Sequence, residues 1–273
     1  NWRRNIELQY LSLADNPKLD INPVGQNPMA AAELAHFKGL SKLRSLNLTN
    51  IRVKPDSVPE ETTSLRVRTT WSDIAGYKVG VAEMCGRRMR FDVFDFTVGK
   101  LSDDAESDCL FGVFDGKGSA NVSNYLYQYF PTNLHSVMAG EGLGDVDRSL
   151  RLSFLSSNAD LSTQPIELRA GSTATILYVQ ENKIYIANSG DTIAVLSREG
   201  RALELTSKHF AWNRTETDRL RTLGGHISMS GLVEGEVELT RAIGYLHLLP
   251  FINALPSIRQ MELTDQDEFV IIA

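Results

Sequence analysis

Cysteine is nearly absent: Cys85 and Cys109 are the only two, and they form neither a C-x-x-C pair nor a disulfide framework. That excludes a zinc ribbon, a redox dithiol and a disulfide-stapled fold. Both read as small buried hydrophobes of a reducing compartment. No run of eighteen apolar residues occurs, so no membrane-spanning helix is expected. The opening NWRRNIELQY has no apolar stretch and does not read as a secretory signal. Basic residues are in deficit, 28 against 34 acidic, for a net charge of −6. This argues against nucleic acid as a partner, because phosphate contacts need a basic face. The histidines His36, His135, His209, His226 and His247 are scattered without metal-ligand spacing and read as packed or surface residues. Ser172 has no His–Asp company in pattern, so a nucleophilic serine is not expected.

What is present divides into two halves. The 273 residues, 42% of them hydrophobic, suffice for a proper core. In the first 54, Leu8, Leu11, Leu13, Asn16 and Leu19 stand at L-x-x-L-x-L-x-x-N-x-x-L. Leu43, Leu46 and Leu48 repeat the pattern 35 residues later, with Ile51 at the asparagine position. This matches the leucine-rich repeat, although the usual period is about 20–29 residues. The excess is the loop DINPVGQNP and a helical stretch, MAAAELAHFKGL, with Leu34, Phe37 and Leu40 on one face. Two repeats cannot bury their apolar faces alone. Residues 1–54 therefore read as the end of a leucine-rich repeat solenoid, and 55–66 as a polar, proline-bearing linker.

From residue 67 the apolar pattern turns to period two. RVRTTWSDIAGYKVGVAEM, LFGVFDG, ATILYVQENKIYIANSG and IAVLSREGRALEL read as strands broken by Gly and Asn. NVSNYLYQYFPTNLHSVMAG and VDRSLRLSFLSSNADL read as helices, the aromatic stripe YLYQYF as core, and DDAESD at 103–108 as a solvated loop. Strands flanking helices, mostly joined by tight turns, predict an α+β domain with antiparallel sheets over 67–273. Asp115-Gly116 in FGVFDG is ambiguous. It could be a hairpin turn, or a carboxylate presented to a metal at the mouth of a sheet.

Five stretches in order resolve that ambiguity: GRRMRFD at 86–92, FGVFDGKGS at 111–119, AGSTATILYV at 170–179, IYIANSGDTIAVL at 184–196 and GEVELTRAIG at 235–244. Together they resemble the metal-dependent serine/threonine phosphatases of the PP2C family, and imply its antiparallel β-sandwich flanked by helices. The resemblance further implies that Asp115 and Gly116 are Mg²⁺ or Mn²⁺ ligand positions, with Asp92 in the place of a family Glu. Asp191 falls at an acid that can hold a third ion, and Arg88 where an arginine grips the substrate phosphate. Hard divalent ions take oxygen ligands, hold the attacking water and clamp the phosphate oxygens.

The departures from that pattern predict eroded chemistry. The family's Glu-Asp is Asp92-Val93, one carboxylate fewer. Lys117 stands at the family's general-acid His, and a lysine is a poor proton donor for that step at neutral pH. Gly190-Asp191-Thr192-Ile193 lacks the family arginine, and Arg241-Ala242-Ile243-Gly244 ends on Tyr245 instead of Asp. Two further family acids would lie beyond FVIIA, so the domain is expected to be C-terminally incomplete. Any Mg²⁺ or Mn²⁺ site is expected to be degenerate, with no catalytic residue, as in a pseudophosphatase; the alternative is an active phosphatase bearing leucine-rich repeats. Repeats followed by such a domain, with the run LLPFINALPSI, resemble the Ras-responsive adenylate cyclases of fungi. That resemblance implies a regulatory region that receives a Ras-type small GTPase through the repeats. It would act on an intramolecular cyclase domain, outside this chain, that converts ATP to cyclic AMP with Mg²⁺. The protein is then expected in the cytoplasm, or peripherally at the inner face of the plasma membrane.

Overall fold

The structure, a computed structural model, describes residues 10–12, 20–21, 45–47, 52–53, 67–74, 76–84, 92–99, 101 and 108–273. Side chains are described for 74, 76–83, 92–99, 101 and 108–273. The chain divides into two compact units, Asn1–Phe91 and Asp92–Ala273.

In the first unit, β1 (Tyr10–Ser12) pairs in parallel with β3 (Ser45–Asn47), placing Leu11 opposite Leu46. β2 (Asp20–Ile21) likewise pairs in parallel with β4 (Arg52–Val53). The remaining leucines of the repeat pattern, Asn16, Ile51 and the helical stretch at 29–40 lie outside the described residues. β5 (Val67–Ile74) and β6 (Tyr77–Met84) form an antiparallel hairpin in register from Ile74↔Tyr77 to Val67↔Met84. Its turn uses Gly76 at φ +84°, a left-handed conformation that glycine adopts without steric cost.

The second unit is α+β and antiparallel, as the period-two pattern predicts. Its strands are β7 (Val93–Gly99), β8 (Cys109–Lys117), β9 (Gly171–Gln180), β10 (Lys183–Ser189), β11 (Ala194–Arg198), β12 (Arg201–Glu204), β13 (Ile243–Gly244), β14 (Ser257–Glu262) and β15 (Asp267–Ile272). The larger sheet runs β14-β10-β9-β8-β7, with β13 added on β9. The smaller runs β12-β11-β15. β9 is buried along its length except at Gln180, which is why its sequence is a short apolar run without alternation. β8 alternates.

Helices α1 (Asn121–Ala139) and α2 (Val146–Leu161) both feed one hydrophobic cluster with the larger sheet. Leu126, Phe130 and Leu134 of α1 and Leu150, Phe154 and Leu161 of α2 meet Leu110, Phe114 and Ile176 there. Phe130 lies edge-on to both Phe114 (5.8 Å) and Phe154 (5.3 Å), the geometry that aromatic quadrupoles favour. Of the YLYQYF stripe, Leu126 and Phe130 are core, while Tyr127 and Tyr129 are exposed because they fall on the other side of the helix. On α2, Ser149, Ser153 and Ser157 are buried, and the Asn133 amide donates to Ser156 Oγ (2.9 Å) and Ser157 Oγ (2.8 Å). Asp145 caps α2 by accepting from Arg148 N–H (2.9 Å).

Two further differences concern polar groups. Asp108, at the end of the acidic run read as solvated, is only 4% exposed and accepts from the Tyr178 hydroxyl at 2.5 Å. A carboxylate facing a core tyrosine across strands cannot be told from a loop acid by local composition. α3 (Arg214–Thr222) is an added helix. It buries only Glu216 and Leu220, too few apolar positions to print a period. Among the described residues no helix is long and apolar enough to cross a membrane.

The aromatic contact between helices and sheet generates a direct expectation. Phe130→Ala should lower unfolding stability by about 3–5 kcal/mol, since Phe130 is fully buried. Urea titration checks this, and a loss below about 1 kcal/mol would mean the helices do not pack on the sheet through it.

Candidate functional site

Asp115 lies inside β8, paired with Thr173 of β9, and not in a turn. The hairpin reading is thereby excluded, and the carboxylate is presented by a strand. Lys117, two residues on, leaves the same face, as period-two geometry requires. Gly116 between them is buried, and its N–H donates to the Asp92 carbonyl at 2.7 Å. The Ser123 hydroxyl donates to the same carbonyl, also at 2.7 Å. A Cβ at Gly116 would stand 2.6 Å from Ser123 Oγ and 2.7 Å from that carbonyl oxygen, so only glycine fits. Asp92 is thus tied by its backbone to the strand that carries Asp115.

Asp191 arrives from the turn after β10. Gly190, at φ +117°, lets that turn approach so closely that a Cβ would lie 2.4 Å from Thr173 Cγ2. Thr173 is the strand partner of Asp115, so the close approach brings Asp191 to the same end of the sheet. The turn is pinned by the Asn188 amide, which donates to the Thr192 carbonyl at 2.7 Å. His209 clamps it from the other side. Its backbone N–H donates to the Gly190 carbonyl (2.9 Å), Gly190 N–H donates to Nδ1 (3.1 Å), and Nε2 faces Ser257 Oγ at 2.8 Å. His209 is 2% exposed. Burial, then the nearby Arg241 charge, push its pKa down to about 4, so it is neutral at physiological pH.

Tyr245 follows β13, whose Gly244 pairs with Gly171. Its ring lies across Gly171, 2.4 Å from where a Cβ would be, and its backbone is left-handed at φ +46°. Tyr245 is 5% exposed. Burial and the neighbouring Asp115 and Asp191 carboxylates push its phenol up to about 12. This ring therefore occupies the site at which the family pattern would place an acid.

The segment carrying Tyr245 is held by Glu216, which is 2% exposed. Arg241 Nε (3.0 Å) and Nη2 donate to one of its carboxylate oxygens, and Arg219 Nη2 (3.1 Å) and the Thr240 hydroxyl (2.9 Å) to the other. Burial alone would raise this carboxyl; the two guanidiniums and the hydroxyl bring it down to about 2. Arg241, from the LTRAIG motif, is therefore a structural partner of α3.

The decisive contact is between Lys117 and Asp191: Nζ lies 3.4 Å from Oδ2, both side chains being partly exposed. Among the described residues no three His, Cys, Asp or Glu side chains converge as a metal-holding group. An ammonium lies on one of the expected acids and an aromatic ring stands in the place of another, so the described residues do not assemble a ligand set for a divalent cation. Arg88 lies outside the described residues. Sequence spacing missed two contributors, His209 and Tyr245. The first was masked by its lack of metal spacing, and the second showed only as a missing Asp.

Comparison with known proteins places this geometry. The Protein phosphatase 2C family profile matches residues 77–273. The adenylate cyclase of Mycosarcoma maydis is 30% identical across 100% of this chain, which corresponds to 13% of that protein. That of Lachancea kluyveri is 33% identical, again over 100% of the chain and 16% of its own length. The chain thus spans about a sixth or less of these relatives. Among solved structures, the serine-threonine phosphatase 2C of Toxoplasma gondii superposes with TM-score 0.60 at 15% identity, covering 78% of each chain, a likeness of fold.

The His209 clamp has a pH consequence. Its folded pKa, about 4, lies below the ordinary 6.5. The clamp's contribution is complete above about pH 6.5 and is lost as the unfolded chain takes up the proton between 6.5 and 4. Between about pH 7.5 and pH 5 the wild type should lose on the order of 2 kcal/mol of stability through this group. Urea melts of His209→Gln should show a smaller drop over that interval. An equal drop would remove the clamp from the account.

Proposed function

The chain belongs to the protein phosphatase 2C family, and from that premise we propose that it is a regulatory, non-hydrolytic member of it. Its place would be the phosphatase-like region of a fungal adenylate cyclase. The observation that carries the reading is the reach of the similarity. The phosphatase profile takes in only residues 77–273, whereas the likeness to the fungal cyclases runs through the whole chain, including the 76 residues before it. A free-standing phosphatase has no reason to share that preceding segment.

Residues 1–54 of that segment would be the end of a leucine-rich repeat array. Supporting this, β1 and β3 pair in parallel at an offset of 35 residues, Tyr10 against Ser45, the same offset as Leu8 and Leu43. Parallel stacking of equivalent strands is how successive repeats bury a common core. The array would receive a Ras-type small GTPase, and the phosphatase-like domain would relay or scaffold that event toward a cyclase domain elsewhere in the protein. That domain would make cyclic AMP from ATP with Mg²⁺, at the inner face of the plasma membrane.

Non-hydrolysis rests on this chain's own residues. Lys117, at the position of the family's general-acid His, is engaged with Asp191, and Tyr245 stands in the place of a further acid. The full-length phosphatase-like domain incubated with p-nitrophenyl phosphate and Mn²⁺ should hydrolyse no more than its Asp115→Asn variant does. Turnover that disappears in Asp115→Asn would establish a working phosphatase instead. The parent protein with its complete repeats should retain Ras loaded with a GTP analogue in preference to the GDP form; equal retention would remove the GTPase assignment.

A further inference from the structure

We propose that Lys117 is a built-in substitute for a divalent cation, a covalently attached charge that neutralises the acidic end of the sheet and makes the domain independent of metal. The inference deepens the non-hydrolytic reading above and rests on it.

The placement follows from strand register. Lys117 pairs with Gly171, and Gly171 with Gly244, so three strands meet in a row at this end of the sheet. Neither glycine raises a side chain, and the Tyr245 ring lies over Gly171. Two rows further in, on the same face, Asp115 pairs with Thr173, against which Gly190 packs to deliver Asp191. Strand register and the Gly190 approach thus bring Asp115, Asp191 and Tyr245 to one end of the sheet, and the ammonium from the same strand end rests on Asp191 at 3.4 Å.

A divalent ion here would need oxygen ligands and room for several waters. The lysine takes up one of the acceptors such an ion would need. Lysine suits the task because it is a compact charge with three donors on a flexible stem. A dissociable ion stabilises only when its concentration exceeds its dissociation constant, whereas a side chain is present always. The lysine therefore both competes with metal for Asp191 and removes the fold's need for it.

Thermal unfolding of the chain in EDTA and in millimolar Mn²⁺ tests this. The wild type and Lys117→Arg should melt at the same temperature in both. Lys117→Met should melt a few degrees lower in EDTA and recover in Mn²⁺. A wild type stabilised by Mn²⁺ as much as Lys117→Met, or a Lys117→Met variant indifferent to both conditions, overturns the proposal. Should Lys117→Met not fold in EDTA, the double variant Lys117→Met/Asp191→Asn decides. With neither charge left it must fold there and ignore Mn²⁺, and failure of either condition counts against the lysine. Phosphoester hydrolysis by the wild type would refute the non-hydrolytic reading. A wild type stabilised by Mn²⁺ yet silent in hydrolysis would refute only the lysine assignment.

Discussion

Glu216 is the constraint on which the second unit's candidate site depends. A carboxylate almost without solvent is tolerable only when its charge is matched and its lone pairs are filled. Here two guanidiniums and a hydroxyl do both. The net stability gained from such a cluster is small, because desolvating the three charges costs nearly what their attraction returns. What it contributes is position. Arg219 also donates to the Thr240 carbonyl (2.8 Å) and Arg241 to the Leu255 carbonyl (3.0 Å), so the segment from Thr240 to Tyr245 is fixed at its start. From there Gly244 meets β9 and the Tyr245 ring is set down at the sheet end.

This separates what a fold must keep from what only its chemistry requires. Arg241, Gly190, Gly244 and Gly171 all belong to stretches that resemble phosphatase motifs, and each has a packing reason to stay. Arg241 satisfies a buried acid; the three glycines permit approaches that any Cβ would block. Lys117 is partly exposed and carries no comparable packing duty, while Tyr245 packs on Gly171 in the place where the resemblance would put an acid. On the non-hydrolytic reading proposed above, these two positions are free to change while the surrounding motifs stay legible. The motifs record ancestry and fold, and the positions between them record activity.

The sequence disclosed a good part of this. Both long helices stand where their apolar faces recur, β5, β6 and β10 to β12 fall within the stretches read as strands, and β8 and β9 overlap theirs. The two helices and β8 bury a regular stripe, so periodicity is a faithful record of them. α3 was invisible because its one buried apolar residue, Leu220, is accompanied by a buried acid that pattern analysis counts as surface. Asp108 failed for the same reason: its partner, Tyr178, is 70 residues away. The site was half legible. Asp115 and Asp191 could be named from motif position, and Lys117 and Tyr245 registered as departures. That Lys117 lies on Asp191 is a contact across 74 residues, and that Tyr245 fills space over Gly171 is a fact of strand register. Neither can be spaced out along a chain.

The replacement of an ion by a side chain changes more than activity. A metal-dependent domain samples an apo state whenever the ion is scarce, and the carboxylates gathered for that ion then repel one another. For an enzyme this is acceptable, because the metal is needed for turnover in any case. A domain that serves by its shape, holding a repeat array and a remote catalytic domain in relation, gains nothing from such sensitivity and loses reliability by it. Internal neutralisation removes the dependence at the cost of the reaction. On the proposed reading, Lys117 is what a scaffold built on a phosphatase fold would be expected to acquire, since one side chain would then supply the charge that an ion otherwise brings.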